Sequence, residues 1–353
     1  MDFKKLKIGY VPYLPDLSQP GDRRRFPYFA KRNHVSFEVA DKNKLYDIIL
    51  LTAPANLSGW LIYKKEHPET RFIFEMVDSL IFSTGLFDIL FKGIGRFLLK
   101  KETAPYLNYK RLLIKWLKIA DVVICSSTEL KKNIGKWNKN VVVSLDYLQD
   151  EARFLKSDYH IENKMKLVWE GQGVVLPHLL FFTEVFKKVN SFCELHIITD
   201  EKYPLYGNLI YKDVATIVNQ LPITTVFHKW ELYDNYKELS KYDCGIIPLN
   251  KKNMFGWYKP ANKLISFWLT GLPTIVSGTP AYRELMNKTG EDFYCFDTEE
   301  WVAKIQQVKE MKAPEREALA KKNLRYVQKN YSDEALDLIW YNVFEKMNYP
   351  VKT

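Results

Sequence analysis

Apolar positions along this chain come in short runs separated by helix-length polar stretches. Leu6–Val11, Val35–Val39, Tyr46–Thr52 and Arg71–Asp78 read as strands, with a helix over Trp60–Glu66. Ala120–Thr128 reads as another strand, whose end caps a helix over Glu129–Trp137, and Asn140–Leu145 closes the series. The stretch 149–163 is charged, without apolar periodicity, and reads as a linker. A second series then begins. A strand from Lys166 runs into Gly171, Gln172 and Gly173, and a helix covers Phe181–Val189. Strands follow at Cys193–Thr199, Thr225–Trp230 and Tyr242–Leu249. Strands alternating with helices at this spacing predict parallel, doubly wound sheets. Two such series predict two domains, 1–157 and 158–330, and a terminal segment 331–353 whose helix is capped by Ser332.

The most informative stretch is Gly256–Ser277. Lys263–Thr270 carries a helical apolar face, Gly271 suits the position just past a helix end, Pro273 blocks continuation, and Thr274–Val276 is a short β-branched run. Lys259, Asn262 and Lys263 stand at or before the first turn of that helix. Amide dipoles and two ammonium groups at one helix start suit an anion. The same helix–glycine–strand sequence also occurs as plain scaffold in α/β proteins.

Charge widens the question. The 353 residues carry a net charge of +10, which attracts nucleotides, nucleic acid or an anionic membrane surface without choosing among them. The four cysteines show neither C-x-x-C nor zinc-ligand spacing and read as buried reduced thiols of a cytosolic protein. No signal peptide and no spanning segment is read, so the protein is expected to be soluble or peripheral. One stretch bears on that choice. Across 85–117, Leu90, Ile94, Phe97 and Leu98 lie on one helical face and Lys92, Arg96 and Lys100 on the other, followed by a second basic stretch, Tyr109–Lys118. Such segments either lie on an anionic bilayer or are domain helices with a solvated lysine face.

Candidate chemistry gathers at predicted strand ends, where open α/β sheets bind ligands. After the first strand come Gly21, Asp22, Arg23, Arg24 and Arg25, either an anion-recognising group or a solvated basic turn. Glu75 and Asp78 end another strand; such carboxylates serve chemistry or merely cap a helix. Gly171, Gln172 and Gly173 let backbone amides approach a phosphate, or form a structural turn. Trp230 offers a stacking surface for a base, or is core.

The order K-x-x-N-K-L, apolar helix, G-x-P, apolar strand, P-x-x-R-E-L resembles the C-terminal domain of GT-B glycosyltransferases, in particular family-four-like enzymes that build bacterial surface polysaccharides. The resemblance implies two Rossmann-like domains facing across a cleft, with a terminal helix returning to the first. It also implies a nucleotide-sugar donor held by the second domain, a glycan or lipid-linked acceptor at the first, and retention of stereochemistry. Asp78, then Glu75, becomes the residue nearest the transferred sugar, and Arg23–Arg25 with Gly21 and Asp22 the acceptor loop. Lys229 and Trp230 fall where the base sits. Two departures stand out. Gln172 and Pro177 occupy the vicinity of the family's basic pair, which leaves Lys202, Lys259 or Lys263 to supply charge, and Ser266 replaces the Glu that holds the ribose. Catalysis is expected to need no metal or other cofactor, Lys263 and the helix dipole neutralising the leaving diphosphate. An idle GT-B-like subunit is the alternative; nucleic-acid binding is not expected, because the basic residues form no recognised module.

Overall fold

The computed structural model describes residues 6–78, 81, 94–106, 108–148, 154–205, 210–231, 235–252 and 254–347. By its contacts the chain divides into two compact units. One comprises Met1–Tyr147, Met254–Pro260 and Asp333–Thr353, the other Leu148–Asn253 and Ala261–Ser332. The sequence reading put the division at 157/158, and the contacts put it after Tyr147. Residues 154–163 form neither helix nor strand and belong to the second unit, held by the Lys156 amide on the Thr270 carbonyl (2.8 Å) and the Tyr159 hydroxyl on the Gly271 carbonyl (2.9 Å).

The first unit is built on a six-stranded parallel sheet in the order β2-β1-β3-β4-β5-β6. Its strands are β1 (Ile8–Val11), β2 (Glu38–Val39), β3 (Ile48–Thr52), β4 (Arg71–Glu75), β5 (Val122–Cys125) and β6 (Val141–Val143). Every residue of β3 is buried, as a central strand covered on both faces requires. The helix Leu57–Glu66 starts where the Asn56 side chain accepts from the Gly59 amide. The helix Tyr109–Ile119 buries Leu112, Leu113, Trp116 and Leu117, and the Trp116 indole donates to the Leu57 carbonyl at 3.0 Å. Its basic side is therefore the solvated face of a core helix, and its apolar side is not available to lipid. Leu90 and Lys92 lie outside the described residues.

The helix Asp333–Glu345 completes this unit. Trp340 and Phe344 stack on Phe29 at 5.7 and 6.2 Å, and Asp337 accepts from Arg32 and from the Tyr147 hydroxyl. Chain order places the sheet's switch point between β1 and β3, where successive connections leave in opposite directions.

The second unit repeats the plan, with β7 (Met165–Glu170), β8 (Cys193–Thr199), β11 (Thr225–Lys229), β12 (Cys244–Ile247), β13 (Thr274–Ser277) and β14 (Tyr294–Cys295) in the parallel order β11-β8-β7-β12-β13-β14. Its switch point lies between β7 and β12. An antiparallel hairpin, β9 (Lys202–Leu205) and β10 (Ile210–Asp213), is inserted after β8. The alternation rule did not predict it, because the hairpin is peripheral and all four residues of β10 are exposed. The expected helix near Phe181 begins as a 3-10 helix, Gly173–Phe182, and becomes α-helical only at Thr183. Pro177 lacks the amide an α-helix needs there. The helix Asn262–Leu269 ends as the sequence predicts: Gly271 has φ +72°, and the chain enters β13 at Thr274.

Candidate functional site

Residues called from the sequence collect at the C-terminal ends of both sheets. In the second unit, β7 delivers Glu170, Gly171, Gln172 and Gly173 to the switch point. The Gly171 amide donates to the Ile198 carbonyl at 3.1 Å and the Gly173 amide to Asp200 Oδ2 at 2.9 Å, so neither amide is open. Gly171 admits no side chain, because a Cβ there would stand 2.8 Å from the Trp169 ring. Lys263, at the second position of the helix Asn262–Leu269, donates to Glu170 Oε2 at 2.6 Å and to the Glu170 carbonyl. Its Nζ also stands 5.9 Å from the Trp169 ring centre. That lysine was expected to offer its charge to a phosphate, and here Glu170 balances it. Glu170 was missed in the sequence because its role appears only when the strand end and the helix start are brought together. Ala261 at the helix N-cap has no side-chain acceptor. At the end of β8, the buried Thr199 hydroxyl has no partner among the described residues.

Ser266 lies one turn into the helix, where its hydroxyl donates to the Tyr236 hydroxyl at 3.0 Å. Lys259 lies in the 254–260 segment counted with the first unit. Lys202 is exposed at the start of β9, and Lys229 pairs with Glu201 at 3.3 Å. Trp230 is half-buried, its amide on the Thr199 carbonyl at 2.9 Å. Beside it opens a cavity of about 530 Å³, lined by Ile198, Phe227, His228, Lys229, Glu231 and Glu238 among others. Among the described residues the flat groups on this lining are Phe227 and His228, and Trp230 is not one of them. His228 Nε2 lies 3.0 Å from His196 Nδ1, and burial together with that neighbour holds its pKa below the ordinary histidine value.

In the first unit the three arginines do not act as one group. Arg23 Nε donates to the Ser18 carbonyl at 3.1 Å, and Arg24 is half-buried. Arg25 is 1 % exposed and bonds Glu75 (2.7 Å), Asp146 (2.9 Å) and the Ser144 carbonyl (3.2 Å). It was expected to face an acceptor's phosphate; here its side chain is buried and its charge is met by Glu75 and Asp146. Asp22 is fully buried and accepts from the Tyr10 hydroxyl (2.7 Å) and the amides of Tyr13 (2.9 Å) and Leu14 (3.1 Å). It folds the loop after β1. A Cβ on Gly21 would meet the Tyr13 ring at 2.7 Å. Burial pushes the Glu75 carboxyl above the usual carboxylate range, against the pull of Arg25. Asp78, three residues beyond β4, is half-buried.

Two Rossmann-like units, each with a parallel six-stranded sheet and its own switch point, define the GT-B fold. Among solved structures of that fold, the chain matches HepE of Anabaena in complex with UDP at 11 % identity and a TM-score of 0.63, over 97 % of this chain and 100 % of that one. It matches WaaG, a glycosyltransferase involved in lipopolysaccharide biosynthesis, at 11 % identity and 0.57, over 96 % and 99 %. It matches TarM at 11 % identity and 0.57, over 84 % of this chain and 54 % of TarM, and so spans about half of that protein. No family model matches the chain. No curated protein matches it either.

Proposed function

We propose that this protein is a glycosyltransferase that moves a sugar from a nucleotide donor to a glycan or lipid-linked glycan acceptor. The observation that carries the reading is the second switch point, where a glycine turn, an uncapped helix start and Lys263 meet, in a chain whose fold aligns end to end with a UDP-bound structure. Lys263 and the first-turn amides would take the diphosphate, with Glu170 releasing the lysine as phosphate arrives. Asn262 opens that helix and Ser266 lies one turn along it, for sugar or ribose hydroxyls, and the cavity beside His228 would take the base. Asp78 is the group offered to the transferred sugar. Transfer needs no metal on this reading, since an ammonium group and helix amides stabilise the leaving diphosphate, and retention of configuration follows the resemblance.

Thermal shift with nucleoside diphosphates and nucleotide sugars tests it. A ligand at a hundred times its Kd stabilises the native state by about 2.7 kcal/mol. One base class should shift the wild type, and Lys263→Ala should lose that shift while keeping its fold. If no nucleotide shifts the wild type, the donor site is absent and the idle-subunit alternative takes its place.

The protein would work at the inner face of the plasma membrane, held peripherally by anionic lipid. Residues 94–98 are helical, with a reversed polarity. Arg96 turns inward to the carbonyls of Pro54 (2.8 Å) and Ala55 (2.7 Å) and to Glu102 (2.8 Å), while Leu98 and Leu99 are 72 % and 69 % exposed beside exposed Lys100 and Lys101. Leucines outside and lysines beside them suit an acidic bilayer surface. Among the described residues no helix is long and apolar enough to cross a membrane.

A further inference from the structure

Three polar side chains at the C-terminal edge of the first sheet each keep one atom without a hydrogen-bond partner among the described residues: Arg25 Nη2, Glu75 Oε2 and Thr52 Oγ1. All three residues are essentially buried, at 1 %, 0 % and 0 % exposure. They are also neighbours. Arg25 Nε holds the other oxygen of Glu75 at 2.7 Å, and Thr52 is the register partner of Glu75 across β3 and β4, so the two side chains leave the sheet on one face. Unpaired buried polar atoms are uncommon singly, and three side by side at a strand end beside a switch point mark a place where a ligand completes the bonding.

The atoms on offer specify that ligand. Arg25 already has its charge met by Glu75 and Asp146 at 2.7 and 2.9 Å, so it offers little free charge to a phosphate. What remains is a guanidinium N–H pair to donate, a carboxylate oxygen to accept, and a hydroxyl that does either. Adjacent sugar hydroxyls, each both donor and acceptor, match this set. Tyr13 follows β1 at the same edge of the sheet: its amide donates to Asp22 at 2.9 Å, and its ring lies on the bare Cα of Gly21.

We propose that Arg25, Glu75 and Thr52 form a subsite for two neighbouring hydroxyls of an uncharged sugar, covered by Tyr13 and opened when the loop after β1 lifts. The subsite rests on the glycosyltransferase reading and narrows it: the acceptor presents hydroxyls here, not phosphate.

The test follows release of nucleoside diphosphate from UDP-glucose, UDP-galactose, UDP-N-acetylglucosamine and GDP-mannose. Each donor is tried alone, with the methyl glycosides of glucose, galactose and mannose, and with glycerol 3-phosphate. Saturation-transfer NMR of the same methyl glycosides reads binding without turnover. A methyl glycoside should speed release, and Thr52→Val should raise its KM about tenfold, the size of one lost hydrogen bond. Its kcat should stay within about twofold and the melting temperature should not fall, because the hydroxyl it removes has no partner within the fold. Acceleration by glycerol 3-phosphate and by no methyl glycoside overturns the proposal. So does a Thr52→Val protein that melts lower with KM and saturation transfer unchanged, which would mean that the three atoms serve the fold through buried water. Saturation transfer that Thr52→Val abolishes, in a protein that turns over no donor, leaves the subsite standing and removes the transferase reading. Absence of both signals removes both.

Discussion

At Gly271 the backbone is left-handed, φ +72°, and a Cβ would stand 2.9 Å from the Tyr159 hydroxyl that donates to this residue's own carbonyl. A side chain there costs about 1–2 kcal/mol in backbone conformation alone. Gly271→Ala should lower the urea midpoint with an unchanged slope, whereas an unchanged midpoint would mean that the turn relaxes freely. His228 yields a prediction in pH. Its folded pKa lies below the unfolded value near 6.5, so the unfolded chain takes up the proton first on acidification. The associated stability is complete above about pH 6.5 and is lost as pH falls through the folded pKa. His228→Gln should flatten the melting temperature between about pH 7 and 5, while Glu238 and the other carboxylates still titrate lower. A wild-type profile already flat across that interval would contradict the assignment.

Elements divide sharply in how much of them could be read from the chain. The central strands and the helix–Gly271–β13 passage were legible because burial on both faces forces continuous apolar runs, and because a positive φ calls for glycine. Gly21, Asp22 and Arg25 were legible as a polar cluster after the first strand but not in their bonding. Three basic residues in a row look alike in sequence, yet Arg25 is buried against two carboxylates while Arg23 and Arg24 are only half-buried. Distance in sequence hides the partners: Glu75 lies fifty residues after Arg25, and Asp146 well over a hundred. Glu170 was unreadable for the same reason, since Lys263 reaches it across 93 residues. Residues 94–98 show a third kind of miss. Helical periodicity finds two faces, but not which of them turns inward.

For the whole molecule the proposed membrane attachment rests on the field of a chain with net charge +10, which would draw it toward anionic surfaces at long range, with exposed Leu98 and Leu99 as the apolar contact. Flotation with liposomes should therefore require anionic lipid and weaken as salt shortens the screening length, which is about 10 Å at 0.1 M. Leu98→Glu with Leu99→Glu should reduce binding on the order of tenfold or more, since each buried leucine side chain contributes roughly 1.5–3 kcal/mol. Equal flotation with neutral lipid, or of the double variant, would refute the attachment.

The helix that covers Phe29 has a consequence for synthesis. The first unit's sheet ends at β6, yet Trp340 and Phe344 come from a segment that starts 186 residues after Tyr147 (333 − 147). A ribosome working at roughly 5–20 residues per second needs on the order of 10–40 s to cross that interval. During that time Phe26 and Phe29 lack their cover. The domain begun first is therefore completed last, and a nascent chain stalled anywhere in the second domain presents a bare aromatic surface to chaperones and proteases.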